Sequence, residues 1–202
     1  MTQQKTKLYG LILAGGFSKR MGQDKALLDF HGKPQIEYVH ALLSKLCAKV
    51  YLSKRPNQKP YKRLLIIDDA PEFTDIGPIG GILSAMQKHP GVSWVVVACD
   101  LPFIDGKVIK TLFAKRNIHS LATAFISTHD GLPEPLCAIW EGGNDQAIMQ
   151  LLKEGIQCPR KILIKSNTHL IKQENPRWLD NVNTPQELQQ VKIELNTATI
   201  SK

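Results

Sequence analysis

Two glycines and two cations stand close together near the start of the chain. Gly15 and Gly16 follow an apolar run, and Arg20, Gly22 and Lys25 come soon after. Adjacent glycines let backbone N–H groups turn toward an anion and approach it closely. Arg20 can fork onto two phosphate oxygens and Lys25 adds a point charge, so the group suits a polyphosphate. The same residues would also make an ordinary strand-to-helix loop with surface cations.

Asp100 ends the apolar run 94–99. A carboxylate at the tip of a buried strand is rigidly placed and suits Mg²⁺, which binds one or two carboxylates together with substrate phosphates. It could instead cap a helix or brace a loop. Asp69 closes another apolar segment, where it can read a ribose hydroxyl or a base edge, or cap the loop that follows. The run Gly77-Pro78-Ile79-Gly80-Gly81 brings backbone near a flat ligand such as a base, or forms a plain glycine turn. Asn181 and Asn183 flank Val182, so an extended backbone puts both amides on one face. Amides there suit a hydroxyl, a pterin-like edge or an outer metal position, or simply the turn before a capped helix.

Several chemistries are disfavoured. Lys25 is not followed in a Gly-Lys-Ser/Thr pattern, and neither G-x-G-x-x-G nor G-x-S-x-G occurs. The histidines at 31, 40, 89, 119, 129 and 169 lack ligand spacing, which argues against zinc. Cysteines 47, 99, 137 and 158 form no C-x-x-C pair and read as small hydrophobes without disulfides, in a reducing compartment.

These residues need a frame, and the periodicity supplies one. Strands are predicted at 7–14, 27–30, 49–53, 64–67, 94–99, 121–126 and 136–140. Helices are predicted over an apolar stripe at Ile36, Val39, Leu42, Leu43 and Leu46, then at 82–88, 105–116 and 145–154, with Gly155 as a stop. Residues 71–81 read as a loop, and 156–182 carries no clear period. Thr184-Pro185-Gln186-Glu187 is a capped helix start, and that helix should end near Leu195, leaving 196–202 as a frayed tail. Strands alternating with helices make an α/β chain with a mostly parallel sheet. In such sheets ligands bind beyond the C-terminal strand ends, where Gly15, Asp69 and Asp100 all fall.

At 202 residues the chain suits one domain with a substantial core. Its net charge of +8 is scattered without a basic block, and aromatic residues are only 6%, which argues against a nucleic-acid platform. No apolar run approaches the ~20 residues of a membrane span, and no signal-peptide core follows the N-terminus, so a cytoplasmic protein is expected.

Taken together, the motifs are more specific than any one alone. The segment LILAGGFSKRMGQDKALLDFHGKP resembles the nucleotide-binding signature of the molybdenum cofactor guanylyltransferases and their nucleotidyltransferase relatives. DIGPIGGILSAM, VVVACDLPFI, PEPLCAIW and DNVNTPQEL follow in the order that family shows. The resemblance spans about residues 8–195. It implies a single three-layer, Rossmann-like nucleotidyltransferase domain over 1–195, with a nucleotide half near 8–105 and an acceptor half near 106–195.

It also implies transfer of GMP from Mg-GTP to the terminal phosphate of molybdopterin, with release of pyrophosphate. Leu13, Ala14 and Gly15 would then touch the nucleotide, beside Gly16 and the Gly77, Pro78, Gly80 and Gly81 backbone already read as a candidate contact. Arg20 and Lys25 would meet the phosphates, Asp69 would hold the nucleoside and Asp100 would bind Mg²⁺. Asn181 and Asn183 would line the centre near the acceptor phosphate. The implied partners are GTP, molybdopterin, and cofactor-delivery proteins or molybdoenzymes, with the chain a monomer or weak oligomer.

This sequence departs from the family where an Asn often follows the second strand. Val50-Tyr51-Leu52-Ser53-Lys54 stand there, so no nucleoside contact is carried over. The cytidylyltransferase branch tends to have aspartates at the positions of Asn181 and Asn183, which favours the guanylyl branch. The other readings are that cytidylyltransferase, a sugar-phosphate nucleotidyltransferase, for which the chain is short, and a nucleotide-binding module without catalysis.

Overall fold

The structure, a computed structural model, describes residues 7–14, 17–18, 23–24, 27–55, 61, 64–182 and 184–200. Its frame is a seven-stranded sheet. In chain order the strands are β1 (Leu8–Leu13), β4 (Val50–Lys54), β5 (Leu65–Asp68), β6 (Ser93–Ala98), β7 (Ala122–Ile126), β8 (Pro133–Trp140) and β9 (Thr168–Lys172). A separate short antiparallel pair, β2 (Phe17–Ser18) and β3 (Gln23–Asp24), lies between β1 and β4 in the chain. The sheet order is β5-β4-β1-β6-β8-β7-β9. β5, β4, β1 and β6 run parallel, β8 is antiparallel to both its neighbours, and β9 is parallel to β7.

The period of two sorts the strand residues into two cores. Ile12, Leu52, Val95 and Val97 face the layer that holds α1 (Gln35–Leu43) and α3 (Gly106–Ala114). Leu11, Leu13, Trp94, Val96 and Trp140 face the layer of α2 (Pro78–Lys88), α4 (Asp145–Lys153) and α5 (Pro159–Lys165). A strand covered on both faces needs apolar residues at every position, which is why β6 reads as a continuous run. α6 (Pro185–Ile200) closes a third, smaller cluster in which Val182 and Val191 pack with Leu28 and Phe30.

The expected α/β class and mostly parallel sheet are present, and several boundaries differ. Residues 27–30 do not form a strand; Asp29 makes one isolated bridge to Pro34. α1 stops at Leu43, and Leu46 is exposed rather than on its buried stripe. α2 begins at Pro78 instead of 82, so Gly80 and Gly81 lie within a helix. Gly77 supplies the positive φ of 75° that turns the chain into it. The stretch 156–182 contains α5 and β9, and α6 continues to Ile200, past the expected end at Leu195.

Candidate active site

The C-terminal ends of the parallel strands form one rim, and backbone bonds run beyond the strands to align it. Ala14 N–H donates to Ser53 O at 3.1 Å, Cys99 N–H to Leu13 O at 3.3 Å, and Asp69 N–H to Lys54 O at 3.2 Å. Leu13, Ala14, Asp69 and Asp100 therefore stand along one edge, as expected. Gly15, Gly16, Arg20, Lys25 and Asn183 lie outside the described residues.

At the β4–β5 end of the rim, the Ser53 hydroxyl donates to Asp69 Oδ1 at 3.2 Å. Burial pushes the Asp69 carboxyl up from the ordinary carboxylate range, opposed by the Ser53 bond and the nearby Arg55 charge. Gly81 of α2 packs directly over Ser53: a methyl there would stand 2.3 Å from Ser53 Oγ. A methyl on Gly80 would stand 2.2 Å from the Phe73 carbonyl. These two glycines thus have a packing reason, since they let α2 lie against β4 and the short 3-10 turn Pro71–Phe73. Ser84 Oγ accepts from Ala70 N–H at 2.8 Å and donates to Gly80 O at 2.7 Å, which pins the loop after Asp69 to α2. Ser53 escaped sequence reasoning because a lone serine at a strand end has no spacing to mark it.

Asp100 stands at the middle of the rim, where β6 meets the antiparallel β8. Val182 N–H donates to Asp100 O at 3.1 Å, so the Asn-Val-Asn segment is tied directly to the turn that carries the carboxylate. Asp100, Asn181 and Pro78 line one cleft of about 1380 Å³. Leu13, Ala14, Asp69, Gly77, Gly80 and Gly81 are not among its walls. The cleft also carries charges that local motifs could not reveal, because most of the pairs join distant parts of the chain. Arg160 bridges Asp130 at 2.7 Å and Glu134 at 2.9 Å. Arg177 lies 4.3 Å over the Phe103 ring and pairs with Asp180 at 3.0 Å and with Glu194. His129 Nε2 stands 3.0 Å from Asp180 Oδ1, and Thr128 Oγ donates to Pro176 O at 2.9 Å, so the β7–β8 turn is fastened to the C-terminal segment.

Among the described residues no cluster of three His, Cys, Asp or Glu could enclose a metal alone. The Asp100 carboxylate and the Asn181 amide share the wall of the cleft, and each offers a hard oxygen donor. That set fits Mg²⁺ completed by substrate phosphates, and does not fit a closed zinc site. Among the described residues no helix is long and apolar enough to cross a membrane.

Known proteins resemble this chain along nearly its whole length. The chain is 38% identical over 190 residues to a Synechocystis protein named molybdenum cofactor biosynthesis bifunctional protein, covering 93% of this chain and 54% of that one. The chain thus spans about half the length of that relative. It is 28% identical over 199 residues to a probable molybdenum cofactor guanylyltransferase of Bacillus cereus, covering 95% of this chain and 98% of that one. The solved structure of molybdopterin-guanine dinucleotide biosynthesis protein A from Archaeoglobus fulgidus superposes with a TM-score of 0.74 at 24% identity, over 94% of this chain and 99% of that one. A 2-C-methyl-D-erythritol 4-phosphate cytidylyltransferase from Thermus thermophilus superposes with a TM-score of 0.67 at 13% identity, over 92% and 98%. At such identities the two structures establish a shared fold. Residues 10–170 match the family model described as the MobA-like NTP transferase domain. The strand-end rim and its acidic tip at Asp100 fall within that match, and the chain belongs to the MobA-like NTP transferase domain family.

Proposed function

We propose that the chain transfers GMP from Mg-GTP to the terminal phosphate of molybdopterin, forming molybdopterin guanine dinucleotide and pyrophosphate. The observation that carries this reading is the bond from Val182 to Asp100. It joins the amide-bearing segment to the acidic strand tip between the nucleotide rim and the charged cleft.

In the proposed reaction an oxygen of the acceptor phosphate attacks the α-phosphorus in line. The α–β anhydride bond breaks and pyrophosphate leaves with the electron pair, so no enzyme nucleophile is needed. Mg²⁺ at Asp100 would neutralise charge on the triphosphate and on the leaving group. Gly15, Gly16, Arg20 and Lys25 would cradle the phosphates, while Leu13, Ala14, Asp69 and the start of α2 hold the nucleoside. Asn181 and Asn183 would orient the acceptor phosphate, with the Arg160 and Arg177 side of the cleft receiving the rest of the acceptor. Rate enhancement would come from positioning and fixed electrostatics. Proteins that deliver or receive the molybdenum cofactor are the proposed partners.

The test is pyrophosphate release with each of the four NTPs, with and without molybdopterin, followed by mass analysis of the dinucleotide. GTP should be preferred by roughly tenfold or more, because a site that hydrogen-bonds one base leaves buried groups unpaired with another. A product carrying mainly CMP would overturn the guanylyl assignment. GTP binding without acceptor-dependent pyrophosphate would overturn the catalytic one.

A further inference from the structure

The turn after β6 is held in an unusual way. Three consecutive carbonyls each meet a hydrogen-bond partner from one of two distant segments, residues 31–35 and Val182. Asp100 O accepts from Val182 N–H at 3.1 Å, Leu101 O from Gln35 Nε2 at 2.8 Å, and Pro102 O faces His31 Nε2 at 2.9 Å. On the other side, Cys99 N–H is fixed to Leu13 O. Asp100 therefore sits between peptide planes that are pinned before and after it. Pro102 has no N–H to give and restricts the residue before it, so the turn's own bracing is weak: Ile104 N–H reaches Leu101 O only at 3.4 Å.

The two side chains are built for this task. A carbonyl only accepts, so the Gln35 amide nitrogen and a protonated His31 Nε2 must face the turn. Gln35 is fully buried, and its Oε1 has no hydrogen-bond partner among the described residues. A half-satisfied buried amide costs stability, and an apolar side chain of similar volume would fill the site more cheaply. His31 is stacked on Tyr38 with ring centroids 3.7 Å apart, which locks the direction of its Nε2.

We propose that Gln35 and His31 are positioning residues that hold the Asp100 turn, and so the carboxylate, at the distance and angle a phosphate-bound divalent cation requires. The proposal rests on the reading of Asp100 as the metal ligand. Residues that orient a ligand from behind commonly alter metal affinity without touching the metal.

The experiment uses the full chain and Mn²⁺ as a paramagnetic probe, with four variants: Gln35→Met, His31→Leu, His31→Gln and Asp100→Asn. Mn²⁺ affinity in the presence of GTP is read by electron paramagnetic resonance. GTP affinity without metal, thermal melting, and kcat against acceptor KM are measured alongside. Gln35→Met and His31→Leu should each weaken Mn²⁺ binding and lower kcat by roughly tenfold. Acceptor KM and metal-free GTP affinity should stay at parent values. His31→Gln, which can still donate to Pro102 O, should recover most of the loss. Parent-like Mn²⁺ affinity in the folded variants, an equal loss of metal-free GTP binding, or no recovery in His31→Gln would each overturn the proposal. If Gln35→Met does not fold, the His31 pair decides, since that side chain is only half buried. Asp100→Asn separates the two levels of argument. Loss of Mn²⁺ binding there with parent-like clamp variants sinks the positioning role alone, whereas parent-like binding in Asp100→Asn sinks the metal assignment and the clamp with it.

Discussion

Asp69 holds its charge against its surroundings, and that has a measurable sign. Its carboxyl is raised mainly by burial, so the native state retains a proton at pH values where the unfolded chain has lost it. Stability therefore falls as pH rises through the window above the ordinary carboxylate value of about 3.9, and the loss persists at neutral pH. Asp69→Asn should accordingly melt higher than the parent at pH 7, with the difference shrinking at pH 4. If Asp69 holds the nucleoside, the same change should weaken GTP binding by about tenfold to a hundredfold. Calorimetric melts at the two pH values with GTP titrations check both parts. Asp69 and Asp100 were legible in the sequence because a strand end is visible as the end of an apolar run, whereas Leu13 and Ala14 were reached only through the family resemblance. Ser53, His129, Arg160 and Arg177 were not legible, because what makes them matter is a partner far away in the chain. Arg160 and Asp130 are 30 positions apart, and His129 and Asp180 are 51.

At the scale of elements, the approach of α2 to β4 ties packing to the rim of strand ends. In Gly81→Ala the new methyl would meet Ser53 Oγ at 2.3 Å and Leu13 Cδ2 at 3.1 Å. Overpacking of this kind costs about 1–3 kcal/mol, and here it would also push Ser53 away from Asp69. Urea unfolding and GTP affinity should therefore both decline in Gly81→Ala. A second joint lies on the opposite edge of the sheet from the rim. Arg116, just past α3, forks onto buried Glu141 at the end of β8, with both contacts 2.6 Å, and Ser93 at the start of β6 adds a 2.7 Å bond. Arg116→Met would leave that carboxylate buried without its cation, at a cost of about 3–5 kcal/mol, and Arg116→Met with Glu141→Met should regain most of it. Denaturant midpoints of the single and double variants test this, with activity per folded molecule unchanged. The elements that sequence periodicity missed have separate causes. α2 begins early because tertiary contacts hold Gly80 and Gly81 in a helix despite their poor propensity. β9 lies at the sheet edge with an exposed Leu170, so it lacks the continuous apolar run that marks β6.

For the whole molecule, β8 decides how the two halves relate. It lies antiparallel between β6 and β7, with Trp94 opposite Trp140 on one side and Ala122 opposite Trp140 on the other. The rim of strand ends and the cleft beside it are thus framed by one hydrogen-bonded sheet. No hinge is available at that seam, and melting should be a single cooperative transition for both halves. A backbone cut beside exposed Ile118 gives the sharper consequence. The two pieces of a nicked chain would stay together through the β6–β8 ladder and keep their activity, as gel filtration and turnover after limited proteolysis would show. The same pieces expressed separately would each present a bare, apolar strand edge, and should precipitate unless they are refolded in one another's company.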